Sequence, residues 1–81
     1  PEVLYRELGG EAVLLDLASE TYFGLNEVGT RIWILLAEGT PLVSVHAALC
    51  EEFDAPADAI ERDLLVLAVR LCDAGLVTIA R

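Results

Sequence analysis

The chain has no lysine. Its five basic residues, all arginine, stand against 14 acidic ones, for a net charge of −9. A surface this acidic repels a phosphate backbone instead of releasing its counterions, so nucleic acid is excluded as a partner. Cysteine is scarce too: Cys50 and Cys72 allow one disulfide at most. With no arginine-plus-apolar signal segment ahead of the domain, the expectation is a cytoplasmic chain with free thiols. Long apolar runs are also missing. Leu64 to Val69 falls far short of the ~20 residues a bilayer span needs, so no membrane partner is expected.

Catalytic groupings are equally thin. His46 is the only histidine, and with Cys50 four residues later on a helix it makes half a metal site or half a thiol–imidazole pair. Nothing completes either, so His46 reads as a surface or half-buried helix residue. No glycine-rich phosphate loop is present, since Gly9 and Gly10 suit a hairpin turn and the other glycines are isolated. Asp16 and Asp63 read as hydrogen-bonding or solvated groups and not as an acid–base pair. The expectation is a protein that is no enzyme and holds no metal or cofactor.

What the chain has in plenty is apolar side chain. Hydrophobic residues make up 56% of 81 residues. A domain of this length buries only about 60% of its unfolded surface, so the surplus is available for a partner to cover. Residues 1–81 read as one domain.

The first half alternates. "VLYREL" (Val3 to Leu8), the Gly9-Gly10 pair and "EAVLLDL" (Glu11 to Leu17) predict a two-residue hairpin, because glycine tolerates the positive φ such a turn requires. After a less obvious turn at Ala18 to Glu20, "TYFGL" (Thr21 to Leu25) predicts a third strand rich in β-branched and aromatic residues. Alternation puts Tyr22 and Gly24 on one side of it and Phe23 and Leu25 on the other.

Helical spacing then takes over. Asn26 is a suitable N-cap for a helix from Glu27, in which Val28, Ile32, Leu35 and Leu36 recur with Trp33 beside them; Gly39 ends it. Trp33, the largest apolar anchor available, is assigned to the core. Thr40 as cap and Pro41 as first helical residue open a second helix, with Leu42, Val45, Leu49 and Phe53 on one face. A third helix follows the Pro56 breaker, capped by Asp58 or a near neighbour and stopped by Gly75, with Ile60, Leu64, Leu67, Leu71 and Gly75 on the face buried against the sheet and the other helices. "LVTIA" (Leu76 to Ala80) trails off extended. The predicted fold is α+β: a three-stranded antiparallel sheet followed by three helices, of winged helix-turn-helix type.

Leu65, Val66, Val69 and Cys72 fall outside the apolar stripe of the third helix. They serve either further core contact or, with Asp63, Val66 and Arg70 along one shoulder, the wall of a groove.

A winged helix invites a DNA-binding reading. The helix from Leu42 to Phe53 instead carries Ser44, His46, Glu51 and Glu52, which are not the residues that reach bases from a recognition helix. A second alternative is a structural subunit docked permanently on a biosynthetic enzyme through its surplus apolar surface, which predicts aggregation or obligate dimerisation of the isolated chain.

"VLLDLASETYFGLNEVGTRIWILLAEG" followed by "DLLVLAVRLCDAGLV" resembles the PqqD-like family, the recognition elements that bind leader segments of ribosomally made, post-translationally modified peptide precursors. Asp16, Tyr22, Phe23, Leu25, Asn26, Gly29, Ile32, Trp33, Leu35, Leu36 and Gly39 fall on the family's pattern, and the likeness covers nearly the whole chain. Glu20 departs from it, since the family commonly has glycine in that turn. The resemblance implies a leader peptide captured as an extra strand along the third strand, Thr21, Tyr22, Phe23, Gly24 and Leu25, in a cleft walled by the third helix. Spacing on that helix nominates Asp63, Val66, Leu67 and Arg70, with Asp63 and Arg70 paired with each other or reading the leader. The implied partners are the leader region of a precursor peptide, of the lasso-peptide class given the short chain, and a separate leader peptidase or modifying enzyme.

Overall fold

Six regular elements follow one another in the computed structural model, which describes residues 3–78: strands β1 (Val3–Leu8), β2 (Glu11–Asp16) and β3 (Thr21–Leu25), then helices α1 (Glu27–Ala37), α2 (Leu42–Glu52) and α3 (Ala57–Asp73). The strands form one antiparallel sheet in the order β1-β2-β3. The hairpin closes at the Leu8–Glu11 pair, with Gly9 and Gly10 at φ 63° and 85°. Both central residues of that turn need positive φ, which two glycines supply without steric cost.

The β2–β3 turn is built differently. Asp16, buried at the end of β2, accepts hydrogen bonds from the Ala18 amide at 3.1 Å and the Ser19 hydroxyl at 3.0 Å. Glu20 then adopts φ 57° and is the only non-glycine with positive φ among the described residues. The turn therefore keeps the left-handed geometry that suits glycine, and carries it on a side chain. β2 stops at Asp16 and leaves Leu17 in the turn, one residue short of the expected strand, because the Asp16 carboxylate ends the ladder.

Strand alternation points Ala12, Leu14, Phe23 and Leu25 at the helices, where all four are buried. α1 lies directly against β2 and β3. Its Asn26 cap accepts from the Gly29 amide at 2.8 Å. At its far end Gly39 takes φ 85°, and the Gly39 and Thr40 amides close on the Leu36 and Leu35 carbonyls, the two-bond closure that a glycine at this position permits.

α2 and α3 depart from expectation at their starts. Pro41 and Pro56, in extended backbone, are the residues before the first helical turn, and neither helix has a side-chain cap. Thr40 is therefore not a cap. Asp58 sits inside the first turn of α3, where its charge faces the positive end of the helix dipole without capping an amide. Gly75 stops α3 as expected, at φ 75°, with Gly75 and Leu76 amides on the Cys72 and Leu71 carbonyls. Leu76–Thr78 follow in irregular backbone; the rest of the expected tail, Ile79 and Ala80, lies outside the described residues.

Val45 and Leu49 are wholly buried, and Leu42 and Phe53 pack half-buried beside them, as the stripe on α2 requires. On α3 the buried face is Ile60, Leu64, Ala68 and Leu71; Leu67 is half-buried and Gly75 exposed. The face is rotated toward Ala68 because α3 packs on α1 and α2, and none of its Cα atoms comes within 8 Å of a strand Cα. Ile60, Leu64 and Leu71 still share one core with Leu14, Phe23 and Leu25 of the sheet, in line with the expected burial against the sheet and the other helices. Trp33 is half-buried: its ring lies 6.5 Å from that of Tyr5 on β1, at the margin of the core. Arg31 ties α1 to α2 by donating from Nε to both carboxylate oxygens of Glu52, at 2.8 and 3.2 Å. No helix among the described residues is long and apolar enough to cross a membrane.

Candidate functional site

In the order β1-β2-β3, the inner edge of β3 is bonded to β2 and its other edge pairs with no strand among the described residues. That edge offers unpaired backbone N–H and C=O groups, a template for another extended chain. Neighbouring strands sit about 4.8 Å apart. An added strand at that spacing would lie in the open space between β3 and α3.

The space is a cleft of about 460 Å³. α3 supplies Arg62, Asp63, Val66, Leu67 and Arg70 as one wall; β3 supplies Gly24 and Leu25; Asn26 and α1, through Val28, Gly29 and Ile32, close the end. All four residues nominated on α3 are thus brought together. Val66 is 57% exposed, which sets aside further core contact and leaves it on the groove wall.

On β3 the nominated residues divide. Gly24 and Leu25 line the cleft, while Thr21, Tyr22 and Phe23 do not. Tyr22 projects from the opposite face of the sheet, 71% exposed, and Phe23 is buried in the core. What these three present to the cleft side is the backbone of the edge.

Asp63 and Arg70 are not paired: the one ion pair among the described residues is Arg31 with Glu52. Arg70 instead lays its guanidinium over the Phe23 ring, 5.4 Å from Cζ to the centroid. This stacking holds a cation against β3 with its N–H donors unengaged by any carboxylate among the described residues. Two arginines and one aspartate make the cleft wall locally positive on a chain of net charge −9.

Spacing on α3 alone could not find Asn26, Val28, Gly29, Ile32 and Arg62. The i, i+4 relation of Val28 and Ile32 was visible, and their joining the cleft depended on how α1 crosses the sheet.

His46 and Cys50 lie elsewhere. His46 Nε2 is 2.9 Å from the Ala57 carbonyl oxygen, to which it donates, and Cys50 Sγ is 3.6 Å from the same nitrogen. The imidazole links α2 to the start of α3. Among the described residues no group of three or more His, Cys, Asp or Glu side chains could hold a metal ion.

The model of the family described as coenzyme PQQ synthesis protein D (PqqD) matches residues 11–77. Two solved structures are similar to the whole chain. One, "TbiB1 in Complex with the TbiA(beta) Leader Peptide", shares 37% identity with a TM-score of 0.79 over 98% of this chain and 92% of that one. The other, "Lasso peptide synthetase B1 complexed with the leader peptide", shares 29% identity with a TM-score of 0.76 over 93% of this chain and 88% of that one. No curated protein matches the chain significantly.

Proposed function

The chain belongs to the PqqD family, and from that premise we propose that it captures the leader segment of a ribosomally made precursor peptide, of the lasso class, and presents it to a separate leader peptidase or modifying enzyme. The observation that carries this reading is the open edge of β3 facing α3 across a cleft. The leader adds as a fourth strand, gaining main-chain hydrogen bonds from Thr21 to Leu25, while its alternate side chains enter the cleft. Leu25, Val66 and Leu67 bury apolar leader groups; Asp63 and Arg70 read polar ones. The protein contributes binding and positioning, the chemistry belongs to the partner enzyme, and both act in the cytoplasm. Two neighbours described as complexes with leader peptides support the reading.

The experiment is fluorescence-polarisation binding of labelled leader from the chain's own precursor. A scrambled leader is one control, and a proline in the strand-forming stretch is the other. The expected result is sub-micromolar binding that proline abolishes, since proline removes a ladder donor. Equal binding of the proline and parent peptides would show that recognition does not use the β3 edge.

A further inference from the structure

Gly24 occupies the interior of β3 for no reason internal to the fold. Its φ is not in the left-handed region, unlike those of Gly9, Gly10, Gly39 and Gly75, and a Cβ built on it meets no heavy atom within 4 Å. Neither backbone conformation nor crowding calls for glycine there. Glycine weakens a strand through chain entropy and the missing side chain, and inside a strand it marks places where a ligand approaches closely.

The space Gly24 leaves is part of an open hollow of about 630 Å³ at the hairpin end of the sheet, lined also by Arg6, Leu8, Glu11, Val13 and Asn26. Arg6, Val13 and Gly24 are successive partners across the three strands, so they form one rung. Alternation puts that rung on the face away from the helices, because Ala12, Leu14, Phe23 and Leu25 are the buried residues. Val13 is 47% exposed and Leu8 88%.

A strand added to the free edge of β3 extends this rung. Directly opposed residues share a face, so the guest residue opposite Gly24 projects outward while its two neighbours project into the cleft. Val13 lies two strand spacings away, about 10 Å, and the rung between is bare. An aromatic side chain reaches over the bare position toward Val13: cross-strand rings extend beyond the opposed position, and covering an edge glycine with a ring is a known stabilising device in sheets. Beyond Val13 stands Arg6, which lines the same hollow and makes no ion pair among the described residues.

We propose that the hollow over Gly24 is a second side-chain subsite for the same peptide, taking an aromatic residue that projects away from the α3 cleft. The inference rests on the strand-addition reading above. It adds a specificity determinant on the opposite face of the sheet from the cleft.

The test is selection of a yeast-displayed library of random peptides against the wild-type chain, Gly24→Val and Val66→Asp, with thermal unfolding of each. Wild-type selection is expected to enrich Phe, Tyr or Trp about fivefold at one position flanked on both sides by cleft-facing apolar residues. Gly24→Val, whose side chain occupies the bare position on the rung, keeps the flanking pattern and loses the aromatic preference. The same variant raises Tm by about 4 °C, because valine is the better strand residue and meets no neighbour. Aromatic enrichment that is absent, or unchanged in Gly24→Val, overturns the subsite, as does a Tm that falls. Peptides that survive Val66→Asp unchanged show that binding bypasses the cleft, which overturns the strand-addition reading and the subsite with it.

Discussion

The Arg70 guanidinium lies over the ring of Phe23, 5.4 Å from its centroid, and thereby fastens the α3 wall of the cleft to the strand that forms its floor. The ring is otherwise a core element, 7% exposed, whose remaining face is covered by a cation. One contact joins fold and site.

Replacing Arg70 by alanine is expected to cost about 0.5–1 kcal/mol of stability, the range for a cation–π contact whose cation is solvent-exposed, as Arg70 is. It should also weaken leader binding, since it removes a cation and its aliphatic stem from the cleft. Arg70→Lys keeps the charge but not the planar stacking, so it should recover only part of either loss. A double-mutant cycle with Phe23→Leu in urea unfolding measures the coupling; additive losses would show that the stacking is idle.

Glu20 holds φ 57° where only glycine is free of steric cost. Glu20→Gly should therefore stabilise the fold by about 0.5–1 kcal/mol, the strain released net of glycine's larger chain entropy. An increased urea midpoint at unchanged slope is the expected reading.

Asp16 accepts two hydrogen bonds inside the β2–β3 turn while 6% exposed. Asp16→Ala leaves the Ala18 amide and Ser19 hydroxyl without their partner and should cost about 1–3 kcal/mol. β3 is the strand this turn delivers to the cleft. Faster amide exchange across Thr21–Leu25 should accompany the loss.

Tyr5 donates its hydroxyl to Glu7 at 2.7 Å, and that hydrogen bond, helped by desolvation and the carboxylate charge, raises the phenol above its usual 10.0. The folded state thus favours the neutral phenol. Its stabilisation is complete below the unfolded pKa of about 10 and is lost as pH rises through the folded value. In a Tyr22→Phe background, which leaves one tyrosine, ultraviolet titration should place Tyr5 above 10, and Glu7→Gln should lower it.

The division between sequence and tertiary structure runs through particular residues. Paired glycines, the Asn26 cap, the Gly39 and Gly75 stops and period-2 giving way to period-3.6 are local signals, so the order of six elements was legible along the chain. The cap positions differ from expectation by one residue at Thr40 and by two at Asp58. Proline at a helix start competes with the side-chain cap, and only the backbone angles decide between them.

The site was half legible. Spacing grouped Asp63, Val66, Leu67 and Arg70, because residues three and four apart share a helix face whatever the helix packs on. It could not say that a cleft would remain between β3 and α3 and that Val28, Gly29 and Ile32 would close it. Nor could it say that Arg70 would choose the Phe23 ring over Asp63. Those outcomes depend on where α1 crosses β2 and β3 and on how α3 packs against it. They are long-range packing choices, set by the fit of Ala68, Leu64 and Ile32 in a shared core, and no window of neighbouring residues contains them. The sequence by itself determined the elements and the charge; the tertiary structure decided that the open edge of β3 would border a cleft, and what faces it across that cleft.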